Sequence, residues 1–179
     1  MMKKYYLMLS MLLLSSNSFA DKEDFSKGPV FKDYGENVTI KGALTSPETQ
    51  TFKVLFDIAK INEDGGVNGN FNTVARFINM HVRAGVPEEN IDVAVVVHGK
   101  AGFDLLNNAA YKAKFNKNNS SAELVGLLLA EKVKIYICGQ SASYLAINEK
   151  DLIPDVEMAL SAMTENALLQ QQGYTLNPF

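Results

Sequence analysis

Two apolar runs stand out along a chain that otherwise alternates short hydrophobic blocks with polar loops. Phe52-Lys-Val-Leu-Phe-Asp-Ile58 and Ile91-Asp-Val-Ala-Val-Val-Val97 are rich in aromatic and β-branched residues, which predicts strands. The second is nearly continuous, as expected of a strand covered on both faces. Between them Val74, Phe77, Ile78 and Val82 recur at helical spacing and predict an amphipathic helix over about 71–84, ending near Gly85. Phe103 to Phe115 also reads as helical. Ser120-Ser-Ala-Glu123 has capping-box spacing and predicts a helix over 124–131, which feeds a strand over 134–137. Beyond Pro154, residues 156–160 fit a strand or a helix start, 162–172 a helix, and 174–179 an extended tail. Strand and helix alternate, the pattern of a parallel sheet flanked by helices. In such sheets reactive groups gather beyond the carboxyl ends of the strands, where His98 and Cys138 both fall.

The first twenty residues break this pattern. Lys3 and Lys4 precede an apolar block from Tyr5 to Leu14, and Ser18-Phe-Ala20 offers small residues where a signal peptidase reads. The block is short for a membrane span, so residues 1–20 are expected to be a cleaved signal peptide and the mature protein to be periplasmic, with no membrane attachment. Residues 21–50 are polar with scattered Gly and Pro, an N-terminal arm draped on an α/β domain over 51–179. Loss of Lys3 and Lys4 leaves 15 basic residues against 20 acidic ones, a net charge of −5. That balance argues against nucleic acid as a partner.

Candidate chemistry is sparse. Cys138 is the only cysteine and closes the strand before Gly139 and Gln140. An unpaired thiol in an oxidising compartment is buried and inert, bridged to another chain, or useful. The functional reading has the turn after the strand aiming backbone N–H groups at the sulfur, which favours thiolate. The structural reading makes Cys138 a small hydrophobe. His98, in Val97-His-Gly99-Lys100-Ala101, could share a proton with the thiol, with Lys100 adding positive potential; a histidine bonded to a backbone carbonyl is the simpler alternative. His81 reads as a packed helix-end residue. Gly139-Gln-Ser141-Ala-Ser143 lacks the last glycine of a nucleophile elbow, and both histidines precede Ser141, so a serine hydrolase is not indicated. Gly65, Gly66 and Gly69 match no phosphate loop, and no spacing suits a metal; no cofactor is read from the chain.

Val95-Val-Val-His-Gly-Lys-Ala101, Lys134-Ile-Tyr-Ile-Cys-Gly-Gln-Ser141, Ser161-Ala-Met-Thr164 and Gln170-Gln-Gln-Gly-Tyr-Thr-Leu-Asn-Pro-Phe179 together resemble the DsrE/DsrF-like family, and most of all an exported branch of it. The resemblance covers roughly residues 28–179. It implies a three-layer α/β/α sandwich with a mostly parallel, about five-stranded sheet, and association into homotrimers or hexamers. It also implies that Cys138 matches a strand-end cysteine that accepts sulfur as a persulfide. The resulting expectation is a thiol or persulfide carrier in which Cys138 reacts, His98 tunes the proton, and Gly99, Lys100, Gly139, Gln140 and Ser141 bind the ligand. A sulfur donor or acceptor protein, or a small thiol, would be the partner, because a lone cysteine has no resolving thiol in its own chain. The alternative is a small-ligand-binding or assembly module in which Cys138 is structural.

Overall fold

The structure is a computed structural model that describes residues 24–178. The segment expected to be a signal peptide lies outside the described residues. Five strands form one all-parallel sheet: β1 (Phe52–Ile58), β2 (Ile91–Val97), β3 (Lys134–Cys138), β4 (Glu157–Ala159) and β5 (Thr175–Asn177), in the order β4-β3-β2-β1-β5. Five α-helices connect them among the described residues: α1 (Gly69–Arg83), α2 (Asn108–Phe115), α3 (Ala122–Ala130), α4 (Gly139–Leu145) and α5 (Ala162–Gln171). The protein is thus an α/β fold with a parallel five-stranded sheet, as the alternation of elements predicts.

Residues 54–56 of β1, 93–97 of β2 and 137–138 of β3 are buried on both faces of the sheet, which explains their apolar runs. Ala94 to Val97 of β2 have no solvent exposure at all, and each buried valine contributes on the order of 1.5–3 kcal/mol. The larger core lies on one face of the sheet and joins Val93, Val95 and Val97 of β2 to Phe71, Val74 and Ile78 of α1 and Leu124 and Leu128 of α3. The other face is covered by α5, over a small second core of Leu55, Ala94, Val96, Cys138, Ala162, Leu169 and Tyr174. At the amino ends of the strands that face is closed by Tyr174, whose hydroxyl donates to both Asp92 carboxylate oxygens at 2.8 Å and accepts from Lys134.

Residues 24–50 have one bridge, Ser26 to Asn37, and no long strand or helix. Asn79, fully buried on α1, holds this segment: its side-chain oxygen accepts from Val30 and Phe31 N–H, and its amide donates to the Phe31 and Tyr34 carbonyls. Arg83 adds bonds to the carbonyls of Asn37, Lys27 and Gly28.

Two sequence expectations fail locally. The stretch 103–115 is not one helix: 3-10 turns over Gly99–Leu105 give way to an extended Leu106, bridged to Leu152, and Asn107 then caps α2 by accepting from Ala110 N–H. The capping box at Ser120 does not form either. Ser120 donates to the Gly65 carbonyl, Ser121 accepts from Asn68 N–H, and Glu123 takes the Tyr34 hydroxyl, so tertiary partners claim all three side chains.

Candidate functional site

Because side chains alternate along a strand, residues two apart share a face. Leu55, Val96 and Cys138 all belong to the core beneath α5. Asp57 lies two residues past Leu55 and His98, still extended at φ −143°, two past Val96. The carboxyl ends of three adjacent strands therefore bring Asp57, His98 and Cys138 to one side of the sheet. They line a cleft of about 330 Å³ with Gln140, Ser141, Ser161, Ala162, Met163 and Asn166.

Cys138 is the N-cap of α4, and its Sγ accepts from Ser141 N–H at 3.5 Å. The residue is 5% exposed. Burial pushes the thiol up, but the Ser141 hydroxyl and the backbone N–H groups of Ser141, Ala162 and Gln140 outweigh it, leaving the thiol below its ordinary value. Donors from the starts of two helices thus meet at one sulfur. Ser161 makes this possible at α5, capping the helix through Thr164 N–H at 3.0 Å and leaving Ala162 N–H to face the thiol.

Two glycines set the turns around this sulfur. A Cβ at Gly139 would stand 2.6 Å from the Ala159 carbonyl oxygen, so only glycine lets α4 start against β4. Gly99 has φ +55°, and its N–H donates to Ser141 Oγ at 3.0 Å, tying the turn after β2 to the turn after β3. The Gln140 side chain donates to the Leu160 carbonyl at 3.2 Å.

His98 pairs with a carboxylate, not with a backbone carbonyl. Its Nε2 lies 3.1 Å from Asp57 Oδ2, and Asp57 Oδ1 accepts from Asn166 Nδ2 at 3.0 Å. The side chains of His98 and Asp57 are 34% and 33% exposed. With Nε2–H donated to Asp57, Nδ1 is the ring nitrogen left as an acceptor. Asn166 Oδ1 is buried and has no hydrogen-bond partner among the described residues.

Of the residues expected at the site, His98, Cys138, Gln140 and Ser141 line one cleft. Gly99 and Gly139 shape its turns, while Lys100 is exposed and lies outside the lining. Asp57 and Asn166 escaped the sequence reading. A carboxylate one residue from the end of an otherwise apolar strand was a usable signal for Asp57; nothing local marks Asn166. His81 packs against Phe52 and Phe77, and burial holds it below the ordinary imidazole range. Among the described residues no three His, Cys, Asp or Glu side chains could hold a metal, and no helix is long and apolar enough to cross a membrane. A larger hollow of about 610 Å³ lies at the opposite end of the strands, between Glu88, Asp92, Glu131 and Lys134, and touches none of these groups.

A sequence model of the DsrE/DsrF-like family matches residues 53–178, a span that contains the whole sheet apart from Phe52 and every side chain of the cleft. No curated protein matches the chain. Among solved structures, the ychN protein from E. coli superposes with a TM-score of 0.51 at 18% identity, covering 70% of this chain and 97% of its own. A protein of unknown function, MTH1491 from Methanobacterium thermoautotrophicum, gives a TM-score of 0.48 at 18% identity with the same coverage of 70% and 97%. At this identity the likeness to ychN concerns the fold. With most of its length matched by the family model, the chain belongs to the DsrE/DsrF-like family.

Proposed function

We propose that this DsrE/DsrF-like protein is an exported thiol protein that carries sulfur as a persulfide on Cys138 or exchanges it with a small thiol or a partner protein. The observation that carries the reading is the convergence of N–H donors from the starts of α4 and α5 on the Cys138 sulfur, which favours thiolate in a buried position. His98, oriented by Asp57, handles the proton exchanged with the sulfur or its leaving group. The proposal includes a homo-oligomer. Tyr144, Leu160 and Met163, exposed at 90%, 72% and 81%, offer apolar surface beside the cleft for a neighbouring subunit.

The test is the rate of Cys138 alkylation against pH in the folded mature protein, with mass spectrometry after exposure to a sulfane-sulfur donor. Reaction with an inflection below the ordinary thiol pKa of about 8.5, and a gain of one sulfur on Cys138, support the reading. A thiol that reacts only on unfolding sinks it. That result would favour the second reading, a ligand-binding or assembly module, to which the slight exposure of Cys138 and its place in the second core lend weight.

A further inference from the structure

The cleft that holds Cys138 has one carboxylate among its lining residues. Asp57 places a carboxylate in the lining, about one-third exposed, with Oδ2 beside His98 Nε2 and Oδ1 accepting from Asn166 Nδ2. No lysine or arginine is among the lining residues, and Lys100 stands outside them. Ser141 N–H already donates to the sulfur, and the N–H groups of Gln140 and Ala162 favour its thiolate. Met163, 81% exposed, adds an uncharged thioether to the same lining. The chain as a whole carries a net charge of −3, which adds long-range repulsion for anions.

We infer that Asp57 makes this cleft selective for neutral or cationic organic disulfides and polysulfides bearing N–H donors, and turns away sulfur anions such as thiosulfate. The inference rests on the reactive-thiol reading of Cys138. In the step it describes, the Cys138 thiolate attacks one sulfur of R–S–S–R. A Cys138–S–S–R bond forms as the original S–S bond breaks. The departing RS⁻ takes up the proton that the Cys138 thiol gave up, with His98 as its carrier. Cys138 is oxidised to the disulfide level as one half of R–S–S–R is reduced to RSH, so no further oxidant enters. Ammonium or amide N–H groups on R meet the Asp57 carboxylate, while a carboxylate on R meets it at close range.

The experiment compares three disulfides of similar size: cystamine (cationic), 2-hydroxyethyl disulfide (neutral) and 3,3′-dithiodipropionate (anionic). Mixed-disulfide formation on Cys138 is followed by mass spectrometry at low salt, and each rate is divided by that of N-acetylcysteine amide to remove leaving-group effects. The expected result is a normalised cystamine rate at least tenfold above that of dithiodipropionate, compressed by 1 M salt and falling close to one in Asp57→Asn. A ratio near one in the wild type, or one that survives in Asp57→Asn, overturns the selectivity while leaving the reactive thiol intact. If no disulfide reacts before unfolding, the thiol reading falls and the selectivity with it.

Discussion

Asp104 is a carboxylate that the fold buries without a cation. It is 3% exposed, and among the described residues its carboxylate takes one side-chain donor, Asn68 Nδ2 at 2.7 Å, while burial together with its charge raises the Tyr111 phenol. Burial outweighs that bond and raises the group from 3.8 to about 6. A raised folded pKa means that the native state holds the proton longer than the unfolded chain. The stabilisation is therefore complete below about pH 4 and lost as pH rises through about 6, by up to ~3 kcal/mol. Asp104→Asn keeps an oxygen for Asn68 and has no charge to bury. Urea melts should find it more stable than the wild type by about 1–3 kcal/mol at pH 7.5, with the gap closing near pH 4. A gap independent of pH would show that the carboxylate is not the cause. No sequence pattern announces such a residue, because its carboxylate is satisfied by Asn68, 36 residues away, and its carbonyl by Asn119.

At the scale of elements, β1 and β2 were legible to the residue, since positions 54–56 and 93–97 are buried and apolar on both faces and polar residues fall only toward the strand ends. Signals that a distant partner can claim were not. Ser120, Ser121 and Glu123 have capping chemistry, yet Gly65, Asn68 and Tyr34 use it for other bonds. The short β4 was ambiguous because three residues carry no period. Its role emerges at Gly139, where α4 begins against the Ala159 carbonyl. Gly139→Ala is expected to force β4 from β3, to lower stability by about 1–3 kcal/mol in urea melts, and to slow Cys138 alkylation relative to a surface-alanine control. Unchanged alkylation would mean that the junction yields without disturbing the sulfur. The arm depends on α1 in the same way. Asn79→Ala leaves several buried backbone groups of residues 30–34 without partners, at a cost of about 2–4 kcal/mol. Limited proteolysis should then cut within 24–45 well before the domain; simultaneous loss of both would refute a local role.

For the whole molecule, the proposed homo-oligomer predicts that light scattering finds a mass well above one chain at micromolar concentration. It also predicts that Leu160→Glu with Met163→Glu shifts that mass toward the monomer, and an unchanged mass would exclude this surface from the contact. The sheet itself is covered unequally. One face carries the large core beneath α1 and α3, whereas the other has α5 over a handful of side chains. That single helix supplies Ala162 N–H to the sulfur, Asn166 to Asp57 and Met163 to the cleft. The proposed chemistry thus depends on the one helix that covers this face. Cys138 lies in the core that α5 covers, so if α5 opens locally, a reagent's rate at that thiol is expected to act as a clock for one helix while the rest of the fold stays shut.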